Sequence, residues 1–486
     1  MVIGSFKSGY HVDEMHTMGL SNSQQNLDIK DGVIYSGEQL WQEFTMVDEN
    51  NRFDYEKVFE NQINDVHPPL YYILIHTVFS LFPNTYSLYY LLIVNIVLGI
   101  IVFWQMVWMF KYFTKKEWIS VLFSLFFIFT MGFVNSVVFF RMYVLLTVWT
   151  NALIMLFCKY KPSDKGWKYY ALLIFILVGG MMTQYYFIIF AAFACVIYAI
   201  RVALEKNWKK LILSVISVAA SAGISTLIFP AMWKHIFSGY RGKEAFENLS
   251  ADGFLESLWK YIDYIGLQTF GELFIFLLFL GITLFIVASK KFTKGNIKET
   301  IYNYVQLAVP VICYVLIVAQ ISPYKADRYV MNIMGILYLL VFAILIQLAQ
   351  SYSKYAVAGI VSAAILVLFG SYRNGVPYLY KSESENVAVI ESLDEDVSCI
   401  YTYSSLFQIL PSCLELESLN EIVFVKTDNL ELLNENTYQD YDKLVIYISS
   451  SADADEIINQ MLEQNEELST STELFTSGYA TAYYLE

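Results

Sequence analysis

From residue 88 to residue 370 the chain alternates long apolar runs with short polar breaks, and most of the runs are close to the length that carries a helix across ~30 Å of hydrocarbon. The pattern predicts ten crossings, at 88–110, 118–135, 142–158, 169–182, 184–200, 211–230, 271–289, 303–321, 329–349 and 355–370. Just ahead of them, residues 68–82 are apolar but short. Pro68-Pro69 presets a first helical turn, and a residue before proline is driven out of the α region, so His67 is expected at the N-cap of a helix over 69–82. Leu70, Ile73, Leu74, Val78, Leu81 and Phe82 fall on one apolar stripe of that helix, with Tyr71 and Tyr72 at its edge or off it. Residues 1–67 are polar with little periodicity, and an extended Gly9–Met15 would point Asp13 and Glu14 to opposite faces.

Past residue 370 the pattern changes. Ser398–Tyr403, Glu421–Lys426 and Leu444–Ser449 are short apolar runs of buried-strand type. Residues 453–464 place Ala454, Ile457, Ile458, Met461 and Leu462 at helical spacing behind acids in the first turn. Alternating strand and helix predicts a small α/β domain. The chain therefore divides into 1–67, a polar first loop; 68–370, a helical membrane body with a juxtamembrane helix 68–82 and a long loop 231–270; and 371–486, a soluble α/β domain.

Composition agrees: 57% of the 486 residues are hydrophobic and 17% aromatic, with a mean hydropathy of +0.47. The fold class expected is a mainly α, polytopic membrane protein of about ten or eleven crossings with a small α/β C-terminal domain. Basic loops stay cytoplasmic. The breaks at 111–117, 159–168, 201–210, 290–298 and 350–354 hold just over half of the 31 basic residues, with only four of the 45 acids in or beside them. The opposite loops and the tail are then exterior, and the net charge of −14 belongs to that face, which argues against nucleic-acid binding. Counting 68–82 as a crossing would invert this distribution, so it is read as an external juxtamembrane helix. With residues 1–67 outside, either they translocate with the first hairpin or a transmembrane helix precedes them; the second is the expectation, Val2-Ile3-Gly4 reading as its tail. Five cysteines make no disulfide framework; a Cys399–Cys413 bridge is left open.

Candidate chemistry gathers on the exterior side. Asp13-Glu14 stands beside His11 and His16, and His67 opens the juxtamembrane helix. Arg141 in Phe139-Phe-Arg-Met-Tyr143 and Arg328 in Ser322-Pro-Tyr-Lys-Ala-Asp-Arg-Tyr329 sit at exterior ends of crossings, against the charge bias. A guanidinium fork matches phosphate oxygens, and Lys325 stands close enough in sequence to join it. The crossings show no clear mid-membrane Asp, Glu, Lys or His, which counts against an ion-coupled transporter.

An early exterior Asp-Glu, His67-Pro-Pro-Leu-Tyr-Tyr72, Arg141-x-Tyr143, Thr183-Gln-Tyr-Tyr186 and Arg328-Tyr329, in that order, resemble the GT-C glycosyltransferases. The likeness is to bacterial relatives of the protein O-mannosyltransferases and of the aminoarabinose transferase of lipid A, over roughly residues 9 to 350. It implies Asp13 as catalytic acid–base group with Glu14 beside it, His67 as the motif histidine, and Arg141 and Arg328 near a lipid phosphate. His11, Tyr71, Tyr72, Tyr143, Tyr185, Tyr186, Lys325 and Tyr329 complete the expected substrate-binding set. Gln184 departs from the family, which often has a histidine there.

The implied donor is a polyprenyl-phosphate sugar, and the acceptor an unspecified glycan, lipid or protein at the bilayer's outer face. Phosphate is a good leaving group, so a single base suffices and inversion results. The scheme requires no cofactor or metal and is compatible with a divalent cation. A lipid or polysaccharide transporter is the alternative, and an assembly protein with a partner-binding tail a third reading.

Overall fold

A computed structural model describes residues 3–164, 166–288, 297–373, 375–393, 397–434 and 441–486. Val2 and most of the basic break 290–298 lie outside these residues. In chain order the first elements are α1 (Val12–Asn22), β1 (Ile34–Tyr35), α2 (Gly37–Thr45), α3 (Tyr55–Asn64), α4 (Leu70–Leu81) and α5 (Leu88–Thr114). Then come α6 (Glu117–Ile128), α7 (Met131–Val138), α8 (Tyr143–Lys159), α9 (Trp167–Met181), α10 (Tyr186–Leu204) and α11 (Trp208–Ile228). The body continues with α12 (Met232–Phe237), α13 (Tyr240–Asn248), α14 (Phe254–Phe270), α15 (Leu273–Ala288), α16 (Ile297–Ile321), α17 (Met331–Tyr352) and α18 (Lys354–Ser371). The tail holds α19 (Glu383–Glu391), β2 (Ser398–Tyr403), α20 (Cys413–Leu416), β3 (Glu421–Lys426), β4 (Leu444–Ser449), α21 (Ala454–Gln464), β5 (Ser471–Ser477) and β6 (Ala480–Leu485).

These elements form two compact units, one of Met1–Asn61, Tyr72–Leu92 and Tyr378–Glu486, the other of Gln62–Tyr71 and Ile93–Pro377. Composition separates residues 1–67 from the tail, whereas contacts group most of them with it. The reason is visible in the sheet, whose strand order is β1-β3-β2-β4-β6-β5. Ile34 and Tyr35 add an antiparallel edge to β3, which with β2 and β4 forms a parallel centre. A two-residue strand has no periodicity to read, so β1 is silent in the sequence. The three central strands coincide with the expected ones because they are fully buried apolar runs. Asp453 caps α21 by accepting from the Glu456 amide. Cys399 and Cys413 are both unbridged.

The ten expected crossings fall largely on helices among the described residues. Among the described residues six helices are long and apolar enough to cross alone, and two bent pairs, α6 with α7 and α14 with α15, raise this to eight; α8 and α9 are apolar and shorter. The expected single span 118–135 is broken by 60°. Thr130 turns extended, and its hydroxyl takes the Phe127 carbonyl instead of continuing the helix. The loop 231–270 is largely helical, and α14 meets α15 at 90° through Gly271, whose left-handed φ of +83° caps α14. At the centre lies α17, apolar all round and buried over nearly its whole length.

The apolar stripe expected on 68–82 is corrected. The helix starts at Leu70, and its buried face is Tyr71, Tyr72, Ile75, His76 and Phe79, while Leu81 and Phe82 are exposed. Apolar character alone did not locate the sheltered face, because the large aromatic rings of Tyr71, Tyr72 and Phe79 are the ones that pack inward.

Candidate active site

In the second unit, Pro68 and Pro69 offer no amide hydrogen, so the segment leading into α4 is tied elsewhere. The Leu70 amide donates to the Met182 carbonyl at 3.0 Å. Asp65 organises the turn before the prolines: its Oδ2 accepts from the His67 amide at 3.2 Å and contacts His67 Nδ1 at 2.8 Å. The other ring nitrogen, Nε2, lies 3.3 Å from Arg141 Nη2. A guanidinium can only donate, so Nε2 must accept and the ring proton sits on Nδ1, aimed at the Asp65 carboxylate. Asp65, His67 and Arg141 thus form a directional chain of carboxylate, imidazole and guanidinium. Burial alone would raise the Asp65 pKa. The charge of His67 when it is protonated, its hydrogen bond, the Val66 amide and the Arg141 charge together outweigh it and hold the group down at about 2.

Arg141 is itself buried. It follows the turn that ends α7, with its amide bonded to the Phe139 carbonyl at 2.7 Å. Asn95, inside α5, donates to the Val137 and Phe139 carbonyls at 2.9 and 3.2 Å and accepts from the Tyr71 hydroxyl at 2.9 Å. One asparagine therefore fixes both the start of α4 and the turn bearing Arg141. Tyr71, expected to bind substrate, is fully buried with its hydroxyl on Asn95.

A second polar link stands beside the first. Tyr185 Oη lies 2.9 Å from His235 Nδ1, and His235 Nε2 lies 3.2 Å from the Ile63 carbonyl. The carbonyl requires Nε2 to donate, so Nδ1 accepts from the tyrosine. Burial lowers the His235 pKa, partly opposed by the Ile63 carbonyl and the Asp65 charge. Next to it Arg241 pairs with Glu244 at 2.8 Å, with its guanidinium 4.9 Å from each of the Tyr240 and Tyr324 ring centroids. Asp65 and His235 complete a set that the sequence signalled only faintly: an acid two residues before His67, and a lone histidine in a long loop.

Tyr186 packs edge-on to Tyr329 with centroids 5.3 Å apart, and Arg328 lies 5.5 Å from the Tyr329 ring. The Tyr314 hydroxyl takes the Tyr329 carbonyl at 2.8 Å. Tyr143 is buried and stacks on Phe139. Lys325 bonds the Ser322 and Ala319 carbonyls at 2.8 and 3.0 Å, so its ammonium closes the C-terminal end of α16.

His11, Asp13, Glu14 and Tyr72 belong to the first unit. The chain is extended only as far as His11, and from Val12 it is helical, because His11 and Glu14 form a capping box. His11 Nδ1 accepts from the Asp13 amide at 3.0 Å, and Glu14 Oε2 accepts from the His11 amide at 2.9 Å. His11 Nδ1 also lies 3.6 Å from Asp13 Oδ2. Glu14 has no exposed surface and pairs at 3.0 Å with Lys7, equally buried, which also donates to the Tyr378 carbonyl at 2.8 Å. Burial lowers the Lys7 pKa and Glu14 pulls it back. Of the two acids, Asp13 alone keeps an open side chain, about a quarter exposed. Tyr72 is buried. Among the described residues no group of three or more His, Cys, Asp or Glu could hold a metal ion.

No protein-family model and no curated protein matches the chain. Among solved structures, ArnT from Cupriavidus metallidurans bound to undecaprenyl phosphate superposes with a TM-score of 0.52 at 9% identity, over 86% of this chain and 88% of that one. The chain shares the fold of ArnT. Apo ArnT from the same organism matches with a TM-score of 0.43 at 10% identity, over 96% and 95%. Because 86% of 486 residues exceeds the stretch from 9 to 350, the likeness of fold reaches beyond the residues that carry the motif resemblance.

Proposed function

We propose that the chain is a multi-pass membrane glycosyltransferase that takes a sugar from a polyprenyl-phosphate donor and passes it, with inversion, to an acceptor on the exterior face. The observation that carries the proposal is the part-buried Asp65–His67–Arg141 chain in a body of ArnT fold. A solved ArnT holds undecaprenyl phosphate, and an oriented guanidinium is the group that a lipid phosphate requires. His67 receives one arm of Arg141 and is itself fixed by Asp65, so the fork is set before substrate arrives and needs no reorganisation as charge builds on the departing phosphate. Arg328 would add a second cation. As the bond to phosphate lengthens, the sugar gains oxocarbenium character and the acceptor hydroxyl must lose its proton. Asp13, the accessible member of its pair, takes that proton; Glu14 holds the end of α1 in place. The scheme asks for no metal, and it leaves the sugar and the acceptor to experiment.

The test is Asp13→Asn in membranes supplied with polyprenyl-phosphate sugars, with products read by mass analysis. The variant should insert and fold as the unaltered chain does and form no glycoside. Unchanged turnover would remove the mechanism. Vesicles that moved the labelled lipid-linked sugar across the bilayer without forming any glycoside would replace the enzyme with a transporter.

A further inference from the structure

The C-terminal sheet has a feature the transfer chemistry does not use. Strands β2 and β4 are parallel neighbours, yet the chain leaves them toward opposite faces. After β2 it runs through residues 404–412 into α20, on the face where Tyr401 bonds Ser412 and Tyr447 bonds Glu415. After β4 it enters α21, whose Ile457, Ile458 and Met461 pack with Ile400, Ile446 and Ile448 on the other face. Two adjacent parallel strands that part in this way open a crevice at their C-terminal ends, the place where open α/β sheets bind ligands.

The rim of this crevice is built from exposed aromatic rings and hydroxyls. Phe407, just after β2, and Tyr479, in the β5–β6 turn, are each 37% exposed and meet edge to face with centroids 5.3 Å apart. The turn is held for that purpose. Gly478 has a φ of +58°, and a Cβ there would come within 2.6 Å of Pro411. The Ser450 amide then donates to the Tyr479 carbonyl at 2.8 Å. Ser405, Ser450, Ser451 and Asp453 are exposed around the rings. Residues 404–408, 449–456 and 478–479 include three acids and no lysine or arginine, which disfavours phosphate and other anions.

We infer that this crevice binds a neutral glycan, the sugar's apolar face lying on one ring of the Phe407–Tyr479 pair against the edge of the other, and its hydroxyls bonding the serines and Asp453. Flat rings joined to groups that both donate and accept suit a polyhydroxylated ligand. To the extent that this glycan is the acceptor, the assignment rests on the transferase reading; the binding itself does not.

The test uses the detergent-purified full chain titrated calorimetrically with maltohexaose, cellohexaose and chitohexaose, and with UDP as an anionic control. At least one neutral oligosaccharide should bind, Phe407→Ala/Tyr479→Ala should weaken it by about tenfold or more, and Tyr479→Phe should keep it. The Asp13→Asn protein should bind like the unaltered chain. Binding of none of the three up to about 10 mM, equal binding by the double alanine variant, or UDP binding in their place would overturn the assignment. Oligosaccharide binding in a chain that never transfers a sugar would remove the transferase reading and leave this one. Undiminished transfer by a double variant that binds as tightly as the unaltered chain would do the reverse.

Discussion

Replacing Asp65 by Asn keeps the volume and one acceptor oxygen while removing the charge that fixes His67. The carboxyl sits at about 2 against an ordinary 3.8, and its side chain is only 10% exposed, so solvent screening takes away little of the effect. At 1.36 kcal/mol per pH unit, the charged form stabilises the folded chain by roughly 2 kcal/mol at pH 7. The folded state binds fewer protons here than the unfolded one, so this stabilisation is complete above about pH 4 and is lost as the pH falls through 2; roughly half of it remains at pH 3. Denaturant unfolding of detergent-solubilised protein, unaltered and Asp65→Asn, should therefore give a gap of roughly 2 kcal/mol at pH 7 that halves at pH 3. The amide can also donate to Nδ1, which would turn Nε2–H against the Arg141 guanidinium, so turnover should fall as well. No gap at pH 7, or one that stays constant from pH 7 to pH 3, would refute the reasoning.

Arg141→Lys keeps the charge but loses the planar fork that meets His67 Nε2, and should lower kcat/KM for a lipid-linked sugar about tenfold or more while expression is unchanged. Lys7→Met strands the buried Glu14 carboxylate and should cost about 3–5 kcal/mol in unfolding measurements; adding Glu14→Gln should restore most of it. Glu415 is pushed up to about 7 by burial, against the bonds from Ser477, Asn386 and Tyr447. Its folded form holds the proton more tightly, so the penalty is absent below about pH 4.5 and complete above 7. Glu415→Gln should be neutral at pH 4.5 and stabilising by roughly 3 kcal/mol at pH 8 in the same unfolding assay.

What the sequence determined by itself is what depends on neighbours along the chain. Apolar runs of bilayer length became the helices of the body, and fully buried runs such as Leu444–Ser449 became the central strands, because hydrocarbon thickness and the strand repeat act on contiguous residues. The capping box of α1 was not legible, because a histidine stands where the usual signature has serine or threonine. The tertiary structure decided which side chains meet. His67 finds Arg141 across 74 positions, and His235 finds the Ile63 carbonyl across 172; no periodicity spans such separations. It also decided which face of α4 is sheltered, since apolar character alone did not locate it. The role of Asp65 is the clearest case: its sequence neighbours place it beside His67, and only the fold brings the guanidinium that gives the pair a direction.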